Sequence, residues 1–212
     1  MTPKEIYYEN TAKTILKNFP KRGFEGCYCA TAREAVEKAL SYVTPGSSVS
    51  FGGSMSLIES GLMEQLRSRE DITLLDRSKA ETPEEVAEIY HQALSCDTYF
   101  MSTNAISMDG QLVNTDGTGN RVAALIYGPK QVVILAGMNK VAATLQDAQV
   151  RVKAEATPPN CIRLNRKTPC SVTGICQDCF GDDCICSHTV VTRRSAIKGR
   201  IKIILVGEEL GY

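Results

Sequence analysis

Hydrophobic residues along the chain follow two spacings, which together predict an alternation of helices and strands. Apolar side chains recur at helical intervals between residues 4 and 18, whereas residues 132–135 are continuously apolar, as in a strand covered on both faces. Helices are predicted over residues 4–18, 31–42, 55–70, 82–95, 121–127, 140–152 and 159–164. Strands are predicted over residues 26–30, 47–51, 72–75, 97–103, 131–136, 189–193 and 200–206, with two short strands inside 104–114. This order favours a mostly parallel sheet between two layers of helices.

Capping and turn residues support several of these boundaries. Thr31 is followed by Glu34 at the spacing of a capping box, and Thr82 precedes a proline at the first helical position. The Asp109-Gly110 pair predicts the turn of a β-hairpin.

Length and charge narrow the class of protein. The 212 residues suit one α/β domain spanning 1–212, and 24 Lys and Arg balance 24 Asp and Glu. A zero net charge argues against broad electrostatic binding to nucleic acid or to an anionic membrane. No stretch has the roughly 20 apolar residues of a membrane span, and the polar residues 1–5 do not resemble a signal peptide. We therefore expect a cytoplasmic protein, whose thiols stay reduced.

The first candidate site is the glycine-rich turn Gly52-Gly53-Ser54, which joins a predicted strand to a predicted helix. Glycines let a ligand approach the backbone closely, and the start of a helix presents free N–H groups to a phosphate or carboxylate. A plain tight turn with Ser54 as helix cap explains the same residues. Glu59, further along the helix, is a candidate general base, with an exposed surface glutamate as the alternative.

The second candidate site is the polar loop that follows the predicted hairpin. It brings together Asn114, Asp116, Gly117, Asn120 and Arg121 before a predicted helix. Arg121 could bind an anionic group through two parallel hydrogen bonds, and Asp116 is a candidate general base. Loops of this kind lie at the carboxyl ends of parallel strands, where ligands usually bind.

A third candidate is Lys140, which follows the apolar strand 131–136. It could add a positive charge to the same cleft. A surface lysine at the start of a helix is the alternative.

Cysteine usage points to a metal site near the C-terminal end. Of nine cysteines, five fall within seventeen residues, at Cys170, Cys176, Cys179, Cys184 and Cys186. Clustered thiols in a reducing compartment favour a metal over disulfides, and four thiolates suit either zinc or an iron–sulfur cluster. The spacing does not separate the two metals, and Cys176 with Cys179 could instead form a redox dithiol.

The remaining candidates near this cluster are weaker. His188 could add a ligand, whereas His91 lies on a predicted helix and does not indicate a His-centred site. The other four cysteines lie on strand or helix patterns and are expected in the core: Cys27, Cys29, Cys96 and Cys161.

These motifs resemble the LUD-domain (lactate-utilisation) family, which includes lactate-utilisation protein C. The resemblance covers nearly the whole chain and is most specific over Asp109 to Ala124. It also includes Gly52 to Met55 with Glu59-x-Gly61-Leu62, Gly128-Pro129, Asn139-Lys140, Thr168-Pro169-Cys170, Cys176-x2-Cys179 and Val206-Gly207-Glu208-x-Leu210-Gly211.

The resemblance implies a Rossmann-like three-layer fold similar to the NagB/RpiA/CoA-transferase-like group, with a Cys-rich insertion at about residues 168–188. Members of that group bind phosphorylated sugars, CoA esters or folates in a cleft formed by these loops. For short members with a Cys-rich tail, the resemblance implies that Cys170, Cys176, Cys179 and Cys186 hold the metal, which leaves Cys184 as an extra thiol in this chain.

At the level of function, the resemblance implies an accessory role in oxidising L-lactate or a related organic acid, with iron–sulfur and oxidoreductase proteins as partners. A small anion would then occupy the cleft. Two alternatives remain open. One is an isomerase or transferase of the NagB/RpiA type that acts on a phosphorylated or CoA-linked substrate; the other is an electron-transfer or structural module. The oligomeric state is also open, with a homo-oligomer as one option.

Overall fold

The computed structural model describes all 212 residues and contains ten strands and nine α-helices. The strands are β1 Glu25–Cys29, β2 Ser48–Phe51, β3 Thr73–Leu75, β4 Thr98–Met101, β5 Ala105–Ser107, β6 Leu112–Asp116, β7 Gln131–Gly137, β8 Val141–Ala142, β9 His188–Thr192 and β10 Ile201–Val206. The helices are α1 Pro3–Leu16, α2 Ala32–Leu40, α3 Met55–Glu59, α4 Leu62–Arg67, α5 Pro83–Ala93, α6 Asn120–Ile126, α7 Leu145–Arg151, α8 Thr157–Arg163 and α9 Pro169–Thr173.

Six strands form a parallel sheet in the order β1-β10-β7-β4-β2-β3. Both faces of this sheet are buried, as the continuously apolar β7 predicted. Val132 and Ile134 pack on the face covered by α1, α5 and α6, whereas Val133 and Leu135 pack on the face covered by α2, α3 and α4. The predicted α/β architecture with a mostly parallel sheet is therefore confirmed.

A second sheet, in the order β8-β5-β6-β9, was not predicted. The β5–β6 pair is the hairpin expected at Asp109-Gly110, and β9 adds antiparallel to β6. Thus the last two strands in sequence separate: β9 joins the small sheet, while β10 inserts between β1 and β7 of the large one.

Two of the predicted helices have different boundaries in the structure. The helix predicted over 55–70 is two short helices, because Gly61 takes a left-handed conformation with φ of 82° between α3 and α4. The helix predicted from residue 140 begins only at Leu145, after Lys140 has ended a short 3-10 turn and β8 has paired with β5. A π-helical stretch, Val152–Ala156, then joins α7 directly to α8.

Arg121 on α6 connects the two sheets. Its guanidinium donates to the Asn114 side-chain oxygen at 2.6 Å and to the Thr115 carbonyl at 2.7 Å, both on β6. It also donates to the Asn104 side-chain oxygen at 3.0 Å, in the link that leaves β4 of the large sheet. Its Nε lies 3.5 Å from a carboxylate oxygen of Asp116, and the two side chains are only 14% and 9% exposed. A buried charge is tolerated when it is paired in this way.

None of the helices combines the length and apolar composition that a bilayer span requires.

Replacing Arg121 with methionine tests this connection. We expect the free energy of unfolding to fall by about 3–5 kcal/mol, because the change leaves the Asp116 carboxylate buried without its cation and removes four hydrogen bonds. Urea denaturation of the ligand-free protein provides the measurement. The matched control is Arg33→Met on α2, where an exposed arginine contacts Glu37 at 3.9 Å, and where the change should stay within about 0.5 kcal/mol. Equal stability of the two variants would show that Arg121 does not support the sheet junction.

Candidate functional site

A cavity of about 620 Å³ lies at the carboxyl ends of the large sheet. Its walls come from the turn after β2, the link after β4, the end of β6, the turn after β7, helix α8 and part of the Cys-rich segment. The volume is in the range of pockets that bind small organic ligands.

The strand order explains why a cavity forms here. From β2 the chain moves outward to the edge strand β3, whereas from β4 it moves the other way, toward β7. Because β2 and β4 are neighbours, their following loops separate and leave a crevice between them. Gly53 to Ser56 and Ser102 to Asn104 line that crevice.

The cavity lining has more positive than negative charge. Two acidic side chains, Asp116 and Asp182, are outnumbered by five basic ones: Arg77, Arg121, Lys140, Arg163 and Arg166. Since the chain as a whole is neutral, this excess is local and favours an anionic ligand.

Lys140 is a buried cation of the cavity wall. It is 3% exposed, its Nζ donates to the main-chain oxygen of Tyr212, and it forms no ion pair with an Asp or Glu side chain. Burial first, and then the charges of Arg151 and Arg121, lower the pKa of Lys140 to about 7, while Glu59 opposes the shift. The charged form of Lys140 is therefore unfavourable until an anion binds nearby. The predicted ligand-binding lysine is buried in the cavity wall, which contradicts the alternative of a surface lysine.

The lack of side chains at Gly52 and Gly53 leaves room for two arginine side chains. A Cβ on Gly53 would stand 2.4 Å from an amino nitrogen of Arg77, and a Cβ on Gly52 would stand 3.0 Å from the Cδ of Arg121. Arg77 also donates to the Tyr90 hydroxyl at 2.5 Å. Ser54 is the N-cap residue of α3 but makes no side-chain capping hydrogen bond, so its hydroxyl is free toward the cavity that it lines.

Two buried polar atoms at the end of β6 make no hydrogen bond. One carboxylate oxygen of Asp116 accepts from the Gly119 N–H at 3.0 Å, whereas the other makes no hydrogen bond and lies 3.5 Å from the Nε of Arg121. The side-chain nitrogen of Asn114 also has no partner, and Asn114 does not line the cavity. Buried polar atoms of this kind are uncommon and call for an explanation. Asp116 lines the cavity, together with Gly117 and Asn120. The assignment of Asp116 as a general base stays a prediction.

Two predicted roles fit the geometry less directly. The donors of Arg121 point to protein acceptors, so this residue shapes the site more than it offers free hydrogen bonds to a ligand. Glu59 is exposed and accepts from the Gly211 N–H at 2.6 Å, outside the cavity lining. Its assignment as a general base stays a prediction.

Several lining residues were missed by the sequence analysis. Arg77 follows β3, so the rule that ligands bind after parallel strands could have identified it. Arg163 and Arg166 lie on and just after α8, where nothing in the sequence pattern distinguishes them from ordinary surface arginines.

The Cys-rich segment forms one wall of the cavity. Asp182, Cys184, Ile185 and Ser187 all line it, and Gly117 lies 3.5 Å from the main chain of Ile185, measured from an ideal Cβ. Residues 174–187 contain no helix or strand. The wall therefore depends on loop conformation, which a metal bound to the segment would restrict.

The thiols of this segment are near one another but are not arranged as a complete site. No three His, Cys, Asp or Glu side chains are close enough together to hold a metal ion. Cys170 contacts Cys161 with their sulfurs 3.7 Å apart, Cys186 is 3.8 Å from the Thr157 hydroxyl, and Cys176 is 4.0 Å from the carboxylate of Asp178. All nine cysteines are free thiols.

Comparison with known proteins identifies the family. The sequence profile of the LUD domain matches residues 12–206. The crystal structure of a DUF162 family protein from Deinococcus radiodurans superimposes with a TM-score of 0.51 at 12% identity, over 94% of this chain and 98% of that one. At this identity the likeness concerns the fold alone. No significant match was found among curated proteins.

Two other solved structures are similar over about half of the chain. Ribose 5-phosphate isomerase A from Neisseria gonorrhoeae gives a TM-score of 0.36 at 17% identity, over 54% of each chain. The β subunit of eIF2B from Chaetomium thermophilum gives 0.37 at 16% identity, over 53% of this chain and 43% of that one. No activity is inferred from likenesses this partial. The profile match, by contrast, covers most of the chain, and the protein belongs to the LUD domain family.

Proposed function

We propose that the protein is an accessory component in the oxidation of lactate or a related organic acid, which binds a small anion in the cavity and a metal through its Cys-rich segment. The observation that carries the proposal is Lys140, a buried lysine that forms no ion pair with an Asp or Glu side chain, in a cavity lined by five basic side chains. The LUD family membership supports the link to lactate.

The size and charge of the cavity favour a ligand larger than lactate itself. A three-carbon acid would fill only a small part of about 620 Å³. The cations also come from different walls: Lys140 and Arg77 follow strands of the large sheet, whereas Arg163 and Arg166 belong to the region of α8. Several negative charges on one ligand, as on the phosphate of a phosphorylated sugar or on a CoA-linked acid, would interact with cations of both walls.

Ligand binding can be tested by isothermal titration calorimetry with lactate, pyruvate, ribose 5-phosphate, inorganic phosphate and coenzyme A. We expect the phosphorylated compounds to bind more tightly than the two carboxylic acids. Absence of heat with every one of them, in protein that holds its metal, would count against an anion site.

The metal part of the proposal rests on the donor set. The resemblance implies Cys170, Cys176, Cys179 and Cys186 as ligands, and thiolates in this number suit zinc or iron–sulfur. A bound zinc ion would hold the segment in one conformation, whereas an iron–sulfur cluster would supply a redox centre. Iron–sulfur or oxidoreductase proteins are the expected partners, and a homo-oligomer is compatible with the proposal.

The pKa of Lys140 gives a pH-dependent prediction. In the free protein this pKa is about 7, and a bound anion raises it by stabilising the ammonium. Anion affinity is therefore highest below pH 7 and falls as the pH rises from 7 to 9, by at most about tenfold per unit. A phosphate ester carries both charges above its second pKa of about 6, so the ligand does not contribute to this slope. Calorimetry across this pH range provides the measurement.

The variant Lys140→Met should remove the slope and weaken binding at pH 7 by roughly 10- to 100-fold, the equivalent of 1.5–3 kcal/mol for a charged hydrogen bond. Lys17→Met, which changes an exposed lysine outside the cavity lining, is the control and should bind as the unmodified protein does. A retained slope in Lys140→Met would assign the titration to another group.

Metal removal provides a second prediction. Because Asp182 and Cys184 line the cavity, stripping the metal with a chelator should raise the anion dissociation constant by about tenfold or more and lower the melting temperature. Metal content, calorimetry and thermal denaturation are measured on the same samples, and re-addition of the metal should restore all three. Unchanged anion affinity in metal-free protein would show that the two sites act independently.

A second candidate function is catalysis of the isomerase or transferase type, and the unsatisfied carboxylate oxygen of Asp116 favours it. Asp116 would act as general base beside the anion held by Lys140. If a phosphorylated or CoA-linked substrate is turned over, Asp116→Asn should reduce kcat by 100-fold or more, within the range of general-base catalysis at about 10²–10⁴. Full activity in this variant would remove Asp116 from the mechanism while leaving the binding proposal untouched.

A further inference from the structure

Cys161 and Cys170 are two thiols in contact in the C-terminal part of the chain. Their sulfurs lie 3.7 Å apart, and the side chains are 1% and 5% exposed. Cys161 comes from α8 and Cys170 from α9, two helices that pack together. The pair is therefore positioned by regular secondary structure, unlike the four cysteines that follow it in the loop 174–187.

The separation of the two sulfurs matches one particular kind of metal site. Four sulfurs at about 2.3 Å from one tetrahedral ion stand about 3.8 Å from each other. In a cubane cluster each thiolate binds a different iron, so its thiolates stand farther apart. The Cys161–Cys170 distance fits two ligands of a single ion.

The pair is not a complete site by itself, because no third His, Cys, Asp or Glu side chain stands close enough to share a metal ion with it. The remaining thiols of this region belong to the loop 174–187, which contains no helix or strand. Cys179 is one of the loop thiols that the resemblance implies as ligands.

We propose that Cys161 is a ligand of a mononuclear thiolate metal site, together with Cys170 and Cys179 and with one further cysteine of the loop. The inference rests on the metal binding proposed above, and it adds a residue that the family resemblance does not include. Cys161 precedes the Cys-rich segment by nine residues in sequence, and it would tie the site to α8, the helix that also brings Asn160 and Arg163 to the cavity.

Thiol footprinting of the unmodified protein tests this assignment without any substitution. The protein is loaded with zinc, or stripped by a chelator, and alkylated before mass spectrometry identifies each modified cysteine. We expect zinc to protect Cys161, Cys170, Cys179 and one more loop thiol, each by at least tenfold in rate. Cys96 is the internal reference, because it is 1% exposed in the other part of the core and hydrogen bonds to the Thr98 carbonyl; its rate should not respond to zinc.

The matched variants are Cys161→Ser and Cys96→Ser, which place a hydroxyl at two equally buried positions. Cys161→Ser should weaken zinc binding by at least about 100-fold, more than the 10- to 100-fold loss typical of residues that only support a ligand. With cobalt(II) in place of zinc, its sulfur-to-metal charge-transfer absorption should fall in proportion to the lost thiolate. Cys96→Ser should match the unmodified protein in both measurements, although both changes cost stability.

The outcomes separate this inference from the proposal on which it rests. Zinc bound with unchanged affinity by Cys161→Ser, or equal alkylation of Cys161 with and without zinc, would overturn the role of Cys161 and leave the loop thiolates as the site. Several irons per chain with a cluster spectrum would overturn the mononuclear assignment. Absence of metal binding in the unmodified protein would overturn both the proposed metal site and this inference.

Discussion

The site depends on the hydrogen bonds and the ion pair made by the buried guanidinium of Arg121. The large parallel sheet and the small sheet meet where β4 leads into β5, and no strand pairing joins them there. Arg121 bridges this junction by donating to acceptors on both sides. A planar guanidinium with five donors in fixed directions is suited to such a junction, whereas a lysine presents only three donors from a single nitrogen. The carboxylate of Asp116 balances its charge and is thereby held at the cavity wall.

The same arrangement explains the electrostatics of the cavity. Arg121 donates its hydrogen bonds to groups of the protein. It therefore adds positive charge to the cavity wall without offering hydrogen bonds to a ligand. Lys140 then lies near two arginines, and burial also disfavours its charged form. A ligand that brings negative charge would relieve this cost, because opposite charges attract more strongly in a partly buried site than in water. The geometry thus supports the proposed anion site in a chain without net charge.

The Cys-rich segment and the cavity share structure, so they are not separate modules. Helix α8 contributes cavity-lining side chains and also carries Cys161, and the loop that follows α9 forms the facing wall. A thiolate site at this position would order a wall that otherwise has no helix or strand. Metal occupancy would in this way influence ligand affinity through loop conformation, without direct contact between metal and ligand.

Much of the architecture follows from local sequence. The apolar run in β7, the helix caps and the Asp109-Gly110 turn determine elements through backbone preferences and nearby side chains, so the parallel sheet and the polar loop at Asn114 to Arg121 could be predicted. Lys140 could be named as a candidate, but its burial depends on the turn after β7 and on residues near Tyr212, which are distant in sequence. The small sheet, the cavity-lining Arg163 and the contact between Cys161 and Cys170 depend on how α8, α9 and β9 pack. Sequence alone determined which elements form and which residue types follow each strand, because those depend on neighbours along the chain. Tertiary structure alone decided which of these side chains are buried together, because burial and charge pairing arise from contacts between distant segments.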